Sequence, residues 1–299
     1  MIRFREFASI ALNVSDLSRA RNWYENMVGL QFNGTSSDGG LFFRICGDHH
    51  SVVLYQSDKP GLKRIGWELE SAEQMNALAT QLDRNRVTWR ELTKAECRDL
   101  HVSAAIRMIE PFTGAIHDFY ASSIEQMPTP YMPSIVQMRH LGHVVLGTPR
   151  YRAAIDFYEN VLNFRTSDEI DGRINLMRCF PNPYHHSFGI ASSERDMLHH
   201  VNFMVTDAED LEKAQARFDA NHVPVVWKGL HPPSGNTFLF FIDPDGLSIE
   251  YGYGMELFAE IGAREHRVFP AKAESFDSTG ARRDARMAAQ GHIETAALM

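Results

Sequence analysis

Apolar and polar positions recur twice along this 299-residue chain in the same order. In each half a short apolar run, residues 10–14 or 144–146, predicts a strand. A stripe of helical spacing follows each run and predicts an amphipathic helix. The apolar members of these stripes are Leu17, Ala20, Trp23, Tyr24 and Met27 in the first half and Tyr151, Ala154, Ile155, Tyr158 and Leu162 in the second.

The ends of these two helices are also marked in the sequence. Ser15 and Asp16 precede the first stripe and are candidate N-caps, because their side chains can accept hydrogen bonds from free backbone N–H groups. Gly29 and Asn163 follow the two stripes, and both residue types tolerate the left-handed conformation that ends a helix. The sequence therefore marks both ends of the first helix and the C-terminal end of the second.

Four segments of the two halves match in order, which indicates an internal repeat. WYEN at 23–26 matches FYEN at 157–160, an offset of 134 residues, and the later acidic helices and final strands match as well. Each copy contains strand, helix and strands, followed by a second such set. The predicted fold class is α+β, with two homologous modules that each consist of paired βαβββ units curved around a cavity.

The repeat and the composition together predict the domain boundaries. Residues 1–126 form the first module and residues 138–263 the second, and the linker between them, 127–137, contains three prolines that disfavour regular structure. Residues 264–299 are charged and Ala-rich, and we expect them to form a tail that is extended over the surface, partly helical or disordered.

Composition and charge argue against nucleic-acid and membrane partners. The net charge of −8 and pI of about 5.9 argue against a nucleic-acid partner, which needs a basic face. The apolar stretch 238–242 is far shorter than the ~20 residues of a transmembrane helix, so we expect no membrane partner. Three scattered cysteines, with no CxxC pair or signal peptide, fit a reducing cytoplasm. We expect a cytoplasmic homo-oligomer.

Three residues of the second module have the chemistry of a metal site. His143, His200 and Glu250 fall in three different predicted strands, so their side chains can meet on the concave face of one sheet. Two imidazoles and one carboxylate make up the facial triad that binds Fe(II) and leaves positions open for substrate and O₂. A lone strand histidine is more often structural, but the coincidence of all three favours a metal centre.

The first module provides an internal comparison. Ser9, Arg64 and Asp118 occupy the positions that correspond to the three candidate ligands. Only Asp118 could coordinate a cation, and Arg64 would repel one. We therefore expect metal in the second module alone.

Several further histidines leave alternatives open. His199 and His200 are adjacent, and strand alternation would place them on opposite faces, so spacing does not decide which one is the ligand. Either His185 or His186 could enter the cavity as an acid–base group, or the pair could simply be solvated at the start of a strand. His231 lies in a Pro/Gly loop, where a surface histidine is common but functional residues also occur.

These motifs together resemble the type I extradiol dioxygenases of the vicinal oxygen chelate superfamily, which have two such modules and bind metal in the C-terminal one. The resemblance covers most of the chain. It is carried by HLGHVVL (140–146), HHSFGIA (185–191), LHHVNFMV (198–205), GLH (229–231) and DPDGLSIEYGYG (243–254).

The resemblance assigns roles to individual residues. It implies that the metal ligands are His143, His200 and Glu250, which selects the second member of the 199/200 pair. It implies that His186 is the acid–base residue for substrate deprotonation and O₂ activation and that His231 contacts a substrate hydroxyl. It also leads us to expect a substrate pocket formed by His185, Asn236 and Phe240.

One residue departs from the family pattern. A tyrosine usually stands ten residues before the ligand glutamate, but this chain has Phe240, which cannot donate a hydrogen bond. The resemblance still implies Fe(II), with Mn(II) as the alternative, O₂ as co-substrate and a small aromatic diol as the molecule that is cleaved. The competing functions are a glyoxalase-like isomerase or lyase and a non-enzymatic binding protein of the same superfamily.

Overall fold

A computed structural model describes residues 1–295, and each half of the chain forms one mixed β-sheet. A π-helical turn, Tyr24–Val28, extends the first helix. The elements of the first half are β1 (Phe4–Val14), α1 (Leu17–Trp23), β2 (Gln31–Thr35), β3 (Leu41–Arg44), β4 (Val52–Gln56), β5 (Gly61–Leu69), α2 (Glu73–Arg84), β6 (Trp89–Glu91), α3 (Lys94–Asp99), β7 (Ala105–Ile109) and β8 (Ile116–Tyr120).

The second half repeats this arrangement without a counterpart of α3 and then adds three short elements. Its elements are β9 (Met138–Thr148), α4 (Tyr151–Asn160), β10 (Phe164–Ile170), β11 (Ile174–Cys179), β12 (Phe188–Ser192), β13 (Met197–Val205), α5 (Glu209–Ala220), β14 (Val225–Leu230), β15 (Thr237–Ile242) and β16 (Ser248–Tyr253). The additional elements are β17 (Arg267–Phe269), α6 (Ala273–Phe276) and β18 (His292–Ile293).

The strand orders of the two sheets are the same once the numbering is offset. The first sheet runs β2-β3-β4-β1-β5-β8-β7-β6, and the second runs β10-β11-β12-β9-β13-β16-β15-β14. Within each sheet the two βαβββ units meet where their first strands pair, β1 with β5 and β9 with β13. The predicted fold class is confirmed, and the centre of each sheet is the junction of two units.

The predicted ends of the first helices are present. The Asp16 side chain accepts a hydrogen bond from the backbone N–H of Arg19 at 2.9 Å, which caps α1. Gly29 and Asn163 have φ values of 82° and 60°, the left-handed conformation that follows a helix. These turns direct the chain back into β2 and β10.

A buried aromatic layer joins the two halves. The Trp67 indole donates a hydrogen bond to Nδ1 of His117 at 2.8 Å, and Nε2 of His117 lies 3.0 Å from the Tyr158 hydroxyl. Burial lowers the pKa of His117 to about 3, so the ring is neutral and can accept on one nitrogen while it donates from the other. Phe164 and Phe188 pack against Trp67 and belong to a core continuous across both halves.

The chain between the two sheets contains no helix or strand from the end of β8 to the start of β9. The predicted boundary 126/127 falls inside this segment, and 137/138 coincides with its end, where β9 begins. None of the helices within residues 1–295 has the length and apolar character of a membrane-spanning segment.

Most of the C-terminal segment is exposed, but it also pairs with both sheets, which the sequence did not predict. Strand β17 adds to the edge of the second sheet beside β10, and β18 pairs with β5 of the first sheet. Met287 and Ile293 are buried, with 8% and 3% of their surfaces exposed. These apolar side chains fix the segment to both halves, and its remaining residues, 296–299, lie outside the described part.

Candidate metal centre

The three candidate ligands lie on adjacent strands at the centre of the second sheet. His143 is on β9, His200 on β13 and Glu250 on β16, and these strands are neighbours in the order β16-β13-β9. The side chains are 2%, 5% and 0% exposed. Because the curved sheet directs all three to its concave side, residues far apart in sequence become neighbours.

The ligand atoms form a nearly equilateral triangle. Nε2 of His143 lies 3.0 Å from Nε2 of His200 and 2.9 Å from Oε2 of Glu250, and the third side measures 3.2 Å. Cis ligands of an octahedral ion with bonds of about 2.1 Å are about 3.0 Å apart, whereas tetrahedral ligands are about 3.4 Å apart. The spacing fits one face of an octahedron.

The bonding of Glu250 also fits a cation. Its Oε2 is buried and accepts no hydrogen bond of acceptable geometry, although two imidazole nitrogens lie nearby. Burial alone would raise the pKa of Glu250, but the imidazoles of His143 and His200 outweigh burial and hold that pKa well below its usual range. A buried carboxylate oxygen without a donor is the group a bound metal would satisfy.

The adjacent His199 does not point to the opposite face, which corrects the expectation from strand alternation. A β-bulge between Leu198 and His200 shifts the register, and Nδ1 of His199 lies 2.7 Å from Nδ1 of His200. Both rings line the same cavity. A hydrogen bond between the two Nδ1 atoms leaves Nε2 of His200 directed to the other ligands.

His186 is connected to a chain of hydrogen bonds. Its Nδ1 lies 3.0 Å from Nδ1 of His185, whose Nε2 lies 2.8 Å from Oδ2 of Asp168. The carboxylate can only accept, so neutral His185 donates from Nε2 and accepts at Nδ1. His186 must then donate from Nδ1, and its Nε2 keeps a free lone pair. Burial, with nearby imidazoles, lowers the pKa of His186 well below its usual range.

Asp168 is held in place by two arginines of the C-terminal segment. Arg264 and Arg267 both donate to its carboxylate, at distances from 2.6 to 3.0 Å. Asp168, His185 and Glu256 also cluster closely enough to suggest a second cation site. The two guanidinium groups already neutralise these carboxylates, so the cluster is an ion-pair network.

His231 receives its orientation from the same segment. Its Nδ1 donates to the backbone carbonyl of Phe276 at 2.6 Å, and its ring stacks on Phe238 with centroids 3.8 Å apart. Its Nε2 lies 3.9 Å from Oε1 of Glu250. Neutral His231 therefore presents an acceptor nitrogen toward the centre.

These residues surround a cavity of about 670 Å³ that is partly walled by residues 271–288. Of the three residues expected to form a substrate pocket, only Phe240 lines it. His185 is fully buried and bound to Asp168, and Asn236 lies behind Glu250 with its Nδ2 3.5 Å from Oε1. Both support residues of the site from behind.

Phe240 faces the centre as the count from Glu250 predicts. The two residues are directly opposite one another on β15 and β16, and the Phe240 ring lies 5.0 Å from that of His200. Phe240 in turn stacks on Trp227 with centroids 5.6 Å apart and an angle of 18°. The cavity wall at this point is an apolar aromatic surface.

The corresponding position of the first sheet is filled by an ion pair. Arg64 pairs with Ala11 as His200 pairs with Val145, and Asp118 pairs with Gly66 as Glu250 pairs with Asn202. The Asp118 carboxylate is 1% exposed and accepts two hydrogen bonds from Arg107, at 2.7 and 2.8 Å. Nε of Arg64 lies 3.6 Å from the same carboxylate.

Sequence reasoning missed the contribution of the C-terminal segment and of Asp168. The segment has no helical or strand periodicity, so only its isolated apolar residues, such as Phe276 and Met287, could have indicated packing. Asp168 lies in a polar strand and acquires its importance only from His185 and the arginines that approach it in space.

Residues 140–251 match the Glyoxalase/Bleomycin resistance protein/Dioxygenase superfamily. The biphenyl-2,3-diol 1,2-dioxygenase of Paraburkholderia xenovorans (strain LB400) is 25% identical over 264 residues, which cover 83% of this chain and 87% of that protein.

Two solved structures share the fold over almost the full length. BphC, a halotolerant catechol dioxygenase, superimposes with a TM-score of 0.83 at 24% identity and covers 90% of this chain and 92% of its own. The Mn(II)-bound glyoxalase from Novosphingobium aromaticivorans has a TM-score of 0.84 at 20% identity, with coverage of 96% and 94%. The fold is therefore common to proteins of different activity.

Proposed function

We propose that this chain, whose residues 140–251 match the Glyoxalase/Bleomycin resistance protein/Dioxygenase superfamily, is an extradiol ring-cleaving dioxygenase. The substrate is an aromatic diol, and both atoms of O₂ enter the product as the ring opens beside the diol. The observation that carries this proposal is the triangle of ligand atoms from His143, His200 and Glu250 at a cavity that also contains His186 and His231.

The metal we propose is Fe(II). The donor set carries one negative charge, so the divalent centre keeps a net charge of +1, which favours an anionic chelating diol. When bound, the ion supplies a Lewis-acidic, redox-capable centre with open positions. Mn(II) accepts the same donors and is the alternative.

The protein groups position the diol and move its protons. Nε2 of His186 carries the free lone pair, so this atom takes the proton from a substrate hydroxyl and can later return it. Nε2 of His231 accepts a hydrogen bond from the second hydroxyl. Phe240 and Trp227 contact the ring and exclude water from one side of the cavity.

The test is anaerobic loading with Fe(II) followed by oxygen-electrode assays with a series of catechols. We expect one O₂ consumed per diol, together with a coloured ring-opened product. Isomerisation of a thiol–aldehyde adduct without O₂ uptake would favour the glyoxalase-like alternative. Tight diol binding with no uptake for every catechol would favour a binding protein.

A further inference from the structure

The exposed side chains that line the cavity include three basic ones. These basic residues are Arg173, Lys272 and Arg283. Asp277 is the one acidic residue among the described residues that line the cavity. The oxygens of Asp277 already accept hydrogen bonds from the backbone N–H groups of Leu230, Thr279 and Ala281. None of the three cationic side chains forms an ion pair with a carboxylate of residues 1–295. This basic character contrasts with the chain's net charge of −8.

Trp227 gives a second, independent indication that the cavity binds a ligand with an acceptor oxygen. Its side chain lines the cavity and is 7% exposed, yet its indole N–H has no acceptor within the described part of the chain. An indole nitrogen can only donate, and a buried donor without an acceptor is costly. A ligand with an acceptor oxygen would satisfy it.

Aromatic rings connect the metal centre with Arg283. Phe240 lies against His200, Trp227 stacks on Phe240, and the guanidinium carbon of Arg283 lies 5.8 Å from the Trp227 ring centroid. An aromatic diol bound through its oxygens near His200 would therefore extend along this wall toward a cation. The cavity volume of about 670 Å³ is within the range of about 300–1,000 Å³ for substantial ligands, which leaves room for a substituent.

We propose that the substrate is an aromatic diol with a carboxylate on a side chain and that Arg283 binds this carboxylate. Arg283 is thus a specificity-determining residue, assisted by the indole N–H of Trp227. The inference rests on the proposed function for the identity of the ring, but the anion site itself depends only on the cavity. A neutral aryl or alkyl substituent is the competing occupant.

The test compares two matched substrates with the Fe(II)-loaded enzyme. They are 3-(2,3-dihydroxyphenyl)propionate and its methyl ester, which differ mainly in charge. Hydrogen bonds to charged groups contribute ~10- to 100-fold in affinity, so we expect the acid to have a kcat/KM at least ~10-fold higher. Arg283→Met should raise KM for the acid by a similar factor, with little change in kcat and none for the ester.

Arg282→Met is the matched control, because it removes the same charge from a neighbouring exposed residue that does not line the cavity. It should leave both substrates unchanged. The proposal is overturned if the wild type has the same kcat/KM for the ester as for the acid, or if the two arginine variants behave alike.

Calorimetry with 3-phenylpropionate, which has no diol, separates this inference from the proposed function. We expect binding that is lost in Arg283→Met and retained in Arg282→Met. If no diol is oxidised but this binding pattern holds, the dioxygenase proposal fails while the anion site stands. If diols are oxidised but 3-phenylpropionate binding does not depend on Arg283, the anion site fails alone.

Discussion

Glu250 in the second half and Asp118 in the first occupy corresponding positions on their sheets, yet their surroundings differ in kind. Asp118 is neutralised from within the chain by Arg107 and Arg64. Glu250 instead faces the imidazoles of His143 and His200, and no arginine or lysine among residues 1–295 pairs with it. A buried carboxylate needs a cationic partner, so we propose that a bound ion takes in the second half the place that arginine has in the first.

This difference shows what a repeat adds to a search for ligands. Three metal-ligating residues in one copy are weak evidence alone, because buried histidines and glutamates are often structural. The first half shows that the same sheet forms without these histidines. There Arg107 occupies the position that corresponds to Phe240. The histidines of the second half are therefore not required by the fold, which strengthens the argument that they serve chemistry.

The largest effect should follow from removal of a proposed ligand. His143→Ala, His200→Ala and Glu250→Ala should each lose tightly bound metal and activity, since a facial triad has no spare ligand. Metal content of the purified protein, measured by elemental analysis, checks this expectation. Ser9→Ala, the change at the position matching His143, is the control, and full metal retention by any triad variant would refute the assignment.

The next effect concerns the histidine pair that both halves retain. Val52 pairs with β1 at the position where Phe188 pairs with β9. His186, two residues before Phe188, therefore corresponds to His50 of the first half. His186→Phe should keep the metal but lower kcat by ~10²–10⁴, the usual contribution of a general acid–base group. His50→Phe should leave kcat unchanged, and equal effects in the two variants would mean that neither histidine is catalytic.

A stability effect is expected at the ion pair of the first half. Asp118→Asn leaves two partly buried arginines, Arg64 and Arg107, without a full counter-charge and should lower the free energy of unfolding by up to about 3–5 kcal/mol. Chemical denaturation of the metal-free protein measures it. Metal bound per folded molecule should not change, because the centre lies in the other sheet, and a parallel loss of metal would show that the first half contributes to the site.

The smallest effect is expected at Phe240. Tyrosine there would add one hydroxyl facing the cavity, and a neutral hydrogen bond contributes about 0.5–1.5 kcal/mol, so kcat/KM should change by roughly ten-fold or less. The metal content should stay the same. Identical kinetics with every diol would indicate that the hydroxyl finds no partner at the centre.

The sequence was sufficient for the repeat, the strand and helix order and the three residues that meet on β9, β13 and β16. These features follow from periodicity and from matched segments, which are local properties of a sequence. The side-chain direction of His199 was predicted wrongly, because a β-bulge changed the register before His200 and no local sequence pattern indicates that bulge. Arg107 was missed because its partner Asp118 is defined only when β7 and β8 pair.

The C-terminal segment shows a different limit. Its packing depends on single apolar side chains that enter hydrophobic surfaces already formed by other elements, and on arginines that reach a carboxylate nearly a hundred residues earlier. Such contacts leave no period in the sequence. The lining of the cavity by residues 271–288 could therefore be found only from the structure.

The position of this segment has a consequence for biosynthesis. All three proposed ligands leave the ribosome before the residues that orient His231 and anchor Asp168, so a nascent chain can assemble the metal triangle while the cavity is still open to water. The enclosed site is completed only when residues 264–293 have emerged and paired with both sheets.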